Sequence, residues 1–297
     1  MESRKKPIIF FGTEEFSAVA LDKLIKDGYN IVGVITKPDS KKGRGQKISM
    51  PKVKEIALQH KIQVLQPQKM SGAVEFIQQF DQPAGVLVSF GRIIPQRIID
   101  LFTPGIINLH PSLLPKYRGP SPIETAILNG DAETGISIMQ LSAKMDAGPV
   151  YYQETIPLSG DEKSSDLYET TAKIGSEALS NVLPAILSGK MSANTQNDTK
   201  ATYCKLLSKN DGLLDQHEMT ADEAERRVRA YEIFPKTKLG IDNFLCIITE
   251  ASVTNKPEQT TPLDIKFKDG RYLSIRTLIT PNGKQTDAKS FLNGYLK

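Results

Sequence analysis

Through the first two thirds of this chain, short apolar runs alternate with longer amphipathic stretches, and this rhythm constrains the fold more than any other feature. A run of four or five apolar residues is buried on both faces only inside a sheet, and parallel strands need crossover helices to cover those faces. Ile8–Phe11 opens the series. A helical stretch from about Glu14 to Lys26 follows, with Phe16, Val19, Ala20, Lys23 and Leu24 near a 3-4 spacing and Gly28 as its stop. Next come a strand at Ile31–Ile35, a helix around Val53–His60 whose entry is marked by Pro51, and a short strand at Val64–Leu65. Ala73–Phe80 reads as helix, and Gly85–Phe90, Ile106–Leu109 and Gly135–Leu141 read as strands. A long helix from about Ser164 to Leu187 closes this part, with Pro184 near its end where it is tolerated.

A composition shift follows. Residues 188–200 are almost devoid of apolar side chains and read as an exposed connection. Beyond them lie one short helix, Ala221–Ala230, and β-type runs at Lys238–Ile241, Phe244–Thr249, Leu263–Phe267 and Tyr272–Leu278. Asp-Asn, Lys-Pro, Asp-Gly and Pro-Asn-Gly turn signals separate them. The expected architecture is α/β: a Rossmann-like open, mainly parallel sheet with flanking helices, then a smaller OB-like β-barrel domain. The expected boundaries are 1–188 for the first domain, 189–208 for a linker and 209–297 for the barrel, consistent with a length of 297 residues.

Two cysteines and three histidines, none clustered, offer neither a disulfide framework nor a metal-ligand set. No G-x-G-x-x-G or G-x-x-x-x-G-K-[ST] is present, so a dinucleotide or NTP reading lacks its phosphate cradle. No apolar run approaches the ~20 residues of a membrane span. The N-terminus passes from Met-Glu-Ser-Arg-Lys-Lys straight into a strand, without the Arg/Ser-rich stretch of a transit peptide, so a bacterial cytoplasmic location is expected.

The net charge of +4 is unevenly distributed. Lys37, Lys41, Lys42, Arg44, Lys47, Lys52 and Lys54 face one acidic residue, Asp39, in the same stretch, and Arg226–Lys297 holds 13 basic residues against seven acidic. Elsewhere the chain is acidic. A flexible cationic loop carrying Gly43-Arg44-Gly45 is suited to a polyanion; the plainer reading is a solvated charge run.

The chemistry gathers in Asn108-Leu109-His110-Pro111, directly after the apolar Ile106-Ile107. This is the carboxyl end of a strand in an open α/β sheet, where ligands bind, and Asn108 and His110 share a face by strand alternation. An amide donor beside an imidazole suits an oxyanion and a mobile proton. The plainer reading is a strand-end pair satisfied by loop backbone. Asp146, in Asp-Ala-Gly after the Gly135–Leu141 strand, can orient an imidazole; it can equally be a turn aspartate. The proline-braced Ser112-Leu113-Leu114-Pro115 offers an apolar wall to a flat ring.

Together these segments resemble the methionyl-tRNA formyltransferases within the folate-dependent formyltransferase family. The resemblance is carried by Phe11-Gly12-Thr13-x-x-Phe16, Lys37-Pro-Asp39…Gly43-Arg44-Gly45, Asn108-Leu-His110-Pro-Ser112-Leu-Leu-Pro115-x-x-Arg118-Gly, Asn129-Gly-Asp131-x-x-Thr134-Gly135 and Met145-Asp146-Ala-Gly148. It runs in order from residue 7 to about 230 and more faintly beyond. Glu14 stands where such enzymes often have Pro, and Arg229–Pro235 lacks the Trp usual near that proline.

The resemblance implies Asn108, His110 and Asp146 as the catalytic set. It implies Ser112, Leu113, Leu114 and Pro115 against the reduced folate, with Phe90–Ile94, Phe90 and Ile94 foremost, adding pterin contacts. Lys41, Lys42, Arg44 and Lys47 would meet tRNA. The implied reaction moves the formyl group of 10-formyltetrahydrofolate to the α-amine of charged initiator methionyl-tRNA, for translation initiation, with no metal, nucleotide or membrane, in a monomer. The competing readings are formylation of a small amine such as a nucleotide-linked amino sugar, and an RNA-binding protein with a vestigial core.

Overall fold

The computed structural model describes residues 2–42, 47–257 and 263–295. In chain order its elements begin β1 (Ile8–Gly12), α1 (Glu15–Lys26), β2 (Ile31–Ile35), β3 (Ser40–Lys42), β4 (Lys47–Ser49), α2 (Lys52–Gln59), β5 (Gln63–Leu65), α3 (Val74–Ile77), β6 (Ala84–Val88), α4 (Gln96–Ile99) and β7 (Ile106–His110). They continue with α5 (Pro122–Asn129), β8 (Glu133–Gln140), β9 (Val150–Pro157), α6 (Ser164–Leu187) and α7 (Ala221–Ala230). The last are β10 (Lys238–Ile241), β11 (Phe244–Thr254), β12 (Asp264–Lys266), β13 (Tyr272–Ile279), β14 (Gln285–Asp287) and α8 (Ala288–Tyr295).

The chain forms two compact units. One comprises residues 1–120, 134–156 and 168–204; the other comprises 121–133, 157–167 and 205–297. In the first, seven strands are ordered β5-β2-β1-β6-β7-β8-β9. The pairs β1/β2, β2/β5, β1/β6 and β6/β7 are parallel, and β7/β8 is antiparallel. The mainly parallel, Rossmann-like sheet read from the rhythm is therefore present.

β1 shows why its apolar run is continuous. Ile8 and Phe10 point into one core with Leu21 and Leu24 of α1 and Leu179 and Leu183 of α6, while Ile9 and Phe11 point into a second with Ile77 of α3 and Ile98 of α4. A strand with a core on each face has no polar side. Because the chain builds outward from β1 through β2 to β5 and then returns to β6, the strand order reverses at the β1/β6 boundary. The carboxyl ends on either side of that boundary border the crevice where such sheets bind ligands.

In and beside the first unit, the basic segment, an added edge strand and the residues read as a linker depart from the expectations. The basic segment is not simply a flexible loop: β3 and β4 pair antiparallel, and Lys54 bonds Asp39 (2.8 Å) and Gln66 (2.8 Å) at its base. Arg44 lies outside the described residues. β9, unforeseen, continues the sheet as its edge strand, where Tyr152, Gln153 and Glu154 remain partly or fully exposed. Residues 194–204, read as part of a linker, run along the first unit through backbone bonds to Val150, Pro115 and Arg118.

The second unit holds a five-stranded antiparallel sheet, β10-β11-β13-β12 with β14 on β13, as the small-barrel expectation requires. Register shifts near Glu250 bend β11. Ala221, Ala224 and Val228 of α7 recur on one face and share a core with Ile248, Ile275 and Leu278. Thr220 and Glu223 close the start of α7 with a reciprocal capping box. α5 belongs to this unit: Arg226 of α7 donates to the Leu128 carbonyl at 2.9 Å. α8, also unforeseen, inserts Phe291 into the core and stacks it on Tyr295 at 5.1 Å.

Asp211 organises the entry to this unit. Its carboxylate pairs with Lys205 and accepts from the Ser208 N–H at 2.7 Å and hydroxyl at 2.8 Å. Lys205 and the Ser208 donors hold its pKa down, from 3.8 to about 2. A carboxylate depressed in the folded state contributes stability that is complete above its unfolded value and fades as pH falls toward the folded one. Asp211→Asn is expected to lower stability by about 1 kcal/mol at neutral pH. In urea melts the gap to wild type should narrow progressively between pH 3.8 and about 2; a pH-independent gap would assign the loss to packing.

Candidate active site

β7 delivers two polar side chains from a buried strand. Asn108 pairs in register with Leu87 of β6 and Met139 of β8, and His110 lies opposite Ser137. Both are buried, Asn108 at 4% and His110 at 5% exposure. Polar groups at this depth need partners or a ligand. His110 has one: its Nε2 lies 3.0 Å from the Tyr117 carbonyl. A carbonyl only accepts, so Nε2 carries the proton, and Nδ1 is the ring nitrogen left for chemistry. Nδ1 faces Asp146, 3.9 Å from Oδ2.

Asp146 comes from the connection between β8 and β9. Its backbone is left-handed, φ +46°, and the Gly119 N–H donates to Oδ2 at 2.8 Å. Glycine is required at two points around it. A Cβ on Gly148 would sit 1.8 Å from the Gln140 carbonyl oxygen, and one on Gly119 (φ +122°) 2.4 Å from that of Cys204. The Asp-Ala-Gly sequence thus lets this connection cross the end of β8 at backbone contact distance.

The structure brings His110 and Asp146 to 3.9 Å, with Asn108 two residues earlier on the same strand, and distributes the other expected site residues. The Ser112 hydroxyl donates to the Lys116 carbonyl at 2.6 Å. Leu114 is buried with Met139 and Val150; its N–H donates to the Ser137 hydroxyl at 3.0 Å and its carbonyl accepts from Gln153 at 2.9 Å. Leu113 and Pro115 are half-buried. Phe90 and Ile94 lie in the core behind the sheet end, Phe90 edge-on to Phe11 at 5.6 Å, so this segment presents backbone and the exposed Ile93 rather than those two side chains. Thr13 ties the end of β1 to it by donating to the Phe90 carbonyl at 3.2 Å.

Lys41 is exposed and Lys42 and Lys47 sit on the β3–β4 hairpin. Beside its base a recess of about 460 Å³ is lined by Thr13, Glu14, Lys37, Pro38, Asp39 and Arg92 among others. Another groove, along α6 and β9, contains none of the expected site residues. Among the described residues no group of three or more His, Cys, Asp or Glu side chains could hold a metal ion, and no helix is long and apolar enough to cross a membrane.

Sequence reading missed the groups that hold His110 and Asp146 in place: the Tyr117 carbonyl, the Gly119 N–H, Arg118 and Gln196. Two are backbone atoms, which residue identity does not announce. Gln196 is a lone amide in a polar stretch. Arg118 is 2% exposed, bonded to Gln196, Asp198 and Tyr203. Burial opposes its charge, but the bonds to Asp198 and Tyr203 prevail and keep its pKa above the ordinary arginine value. Gly148→Ala is expected to cost about 1–3 kcal/mol in urea unfolding by overpacking the Asp146 connection, whereas Gly240→Ala, with open space at the Cβ, changes stability by under about 0.5 kcal/mol.

Residues 5–183 match the formyl transferase family. A methionyl-tRNA formyltransferase of Lactobacillus acidophilus is 35% identical over 298 residues, covering 97% of this chain and 95% of that protein. One of Geobacter sulfurreducens is 38% identical over 237 residues, covering 79% and 74%. Among solved structures, the N-formyltransferase from Helicobacter canadensis in complex with folinic acid and dTDP-3-aminofucose superimposes with a TM-score of 0.69 at 21% identity, over 91% of this chain and 99% of that one. HypX from Aquifex aeolicus in complex with tetrahydrofolic acid gives 0.68 at 16%, over 98% of this chain and 47% of that one. At these identities the solved structures share the fold. Near-complete coverage at 35% identity and a formyl transferase match over residues 5–183 together place the chain in the methionyl-tRNA formyltransferase family.

Proposed function

We propose that the protein transfers the formyl group of 10-formyltetrahydrofolate to the α-amine of methionyl-tRNA, supplying N-formylmethionyl-tRNA for translation initiation in the bacterial cytoplasm, and that it works as a monomer. The observation that carries the catalytic assignment is the orientation of His110. With Nε2 donating to the Tyr117 carbonyl, only Nδ1 can face the reacting atoms, and Asp146 stands beside it.

The uncharged amine attacks the formyl carbon, the carbonyl oxygen gains negative charge, and the C–N10 bond then breaks. Asn108 donates its amide N–H to that oxygen. His110, when protonated at Nδ1, supplies a second donor, and the Asp146 carboxylate balances the imidazolium charge. The 3.9 Å between Nδ1 and Oδ2 exceeds a direct hydrogen bond, so one proton carrier, water or the amine itself, can bond both atoms from beside the line that joins them. The proton leaves the attacking nitrogen and arrives at N10, so one N–H and one C–N bond form as one of each breaks. No enzyme-bound acyl group is needed, since the donor is already an amide of a weakly basic nitrogen.

Backbone at residues 90–94 and the half-buried Leu113 and Pro115 are the groups we assign to the flat pterin ring. The β3–β4 hairpin, with Lys41, Lys42 and Lys47, and the neighbouring Arg44 of the same basic segment are assigned to the acceptor arm of the tRNA. Much of the positive charge in the terminal segment has other employment: Arg271 pairs with Asp222 and Asp269, Arg229 with Glu225, and Arg226 and Arg227 bond carbonyls. The hairpin therefore takes the larger share of phosphate contact in this reading.

The deciding assay incubates purified protein with 10-formyltetrahydrofolate and charged initiator tRNA and looks for N-formylmethionine. Turnover of a nucleotide-linked amino sugar instead would replace the acceptor assignment. His110→Ala is expected to lower kcat by at least about 100-fold with folding intact; near-normal turnover would remove His110 from the mechanism. Replacing Lys42 and Arg44 together by Ala should raise the KM for tRNA and reduce the salt slope of log KM by about two. An unchanged slope would make the hairpin a bystander.

A further inference from the structure

The segment 194–204 is held on the catalytic unit by main-chain bonds. Asn194 and Val150 exchange N–H···O bonds of 2.8 Å, the Thr202 N–H donates to the Pro115 carbonyl at 3.1 Å, the Arg118 N–H donates to the Thr202 carbonyl at 2.9 Å, and the Cys204 N–H donates to the Arg118 carbonyl at 2.9 Å. Between these anchors Gln196 makes four side-chain bonds. Its Nε2 donates to the carbonyls of Asp146 (2.8 Å) and Gly148 (2.6 Å), and its Oε1 accepts from Arg118 Nη2 (2.9 Å) and Nε (3.1 Å). A primary amide has two donor hydrogens and two acceptor positions, and all four are in use.

The two segments joined by this amide carry the partners of the catalytic pair. On one side is Tyr117–Gly119, whose Tyr117 carbonyl fixes His110 Nε2 and whose Gly119 N–H holds Asp146 Oδ2. On the other is the connection bearing Asp146 itself, in a left-handed conformation that its surroundings must maintain. We propose that Gln196 is a positioning residue for formyl transfer, whose side-chain amide locks the Asp146 connection to the Arg118 segment and so sets the separation of His110 and Asp146. The strap itself does not depend on this side chain, because the main-chain bonds at Asn194, Thr202 and Cys204 dock it. The inference rests on the reading that His110 and Asp146 act together.

Two substitutions separate positioning from plain support. Gln196→Glu keeps an acceptor for Arg118 but offers no donor to the two carbonyls when ionised; Gln196→Met keeps length and removes both functions. In the full-length protein, assayed with 10-formyltetrahydrofolate and charged tRNA, both should lower kcat by about 10- to 100-fold with KM values within about two-fold. Gln196→Glu should melt within a few degrees of wild type, so its loss of rate is read on folded enzyme. In an Asp146→Asn background, Gln196→Glu should cost nothing further, as expected for a residue that acts through Asp146. Wild-type kcat in Gln196→Glu, or losses that multiply fully in the double variant, would overturn the proposal while leaving the catalytic pair standing. Wild-type kcat in Asp146→Asn alone would overturn the pair and, with it, the role of Gln196.

Discussion

Everything at the candidate site depends on the burial of β7 between β6 and β8. Its backbone is paired on both edges, to Leu87 and Val88 on one side and to Ile138 and Met139 on the other. Such a strand cannot shift register without moving two neighbours, so its last residues have fixed positions. Asn108, paired on both edges, and His110, paired with Ser137 of β8, are therefore presented by the sheet rather than by a loop. The entropy of ordering an amide and an imidazole is met during folding.

Around this rigid element the remaining site is built from backbone polarity. The Tyr117 carbonyl selects which nitrogen of His110 bears the proton, and the Gly119 N–H selects where the Asp146 carboxylate rests. Both come from the segment that follows β7, so strand and support are one continuous piece of chain. The glycines answer to the same geometry. At 119 and 148 the backbones of two segments approach so closely that any side chain would displace one of them. Arg118, buried between them, adds charge without freedom: Gln196, Asp198 and Tyr203 occupy its donors.

Charge is partitioned along similar lines. Basic residues on α7 and just before β13 form internal bonds within the second unit, as Arg226 does with Leu128 and Arg271 with Asp222. An exposed lysine such as Lys41 on the hairpin has a different relation to solvent, and multivalent phosphate binding draws on charges of that kind. Counting charges by segment overstates what a surface offers, because a guanidinium bonded to a carboxylate or a carbonyl contributes less to the field outside.

Local patterns along the chain were enough to specify the mainly parallel core and the polar residues at its edge. Double-faced apolar runs such as Ile8–Phe11 allow few alternatives, and the placing of Asn108 and His110 at the end of a buried strand was legible because strand alternation and strand ends are local properties. β9, α8 and the β3–β4 hairpin were not: each is short, half polar, and stabilised by what it pairs with or packs on. The tertiary structure alone decided that α5 joins the second unit, that Phe90 and Ile94 face the core, and that residues 194–204 are a strap rather than a tether. The reason is common to all of them. A hydrogen bond between groups far apart in sequence, like that of Gln196 to the Asp146 carbonyl, depends on where two backbones meet, and no residue pattern along one segment encodes the position of the other.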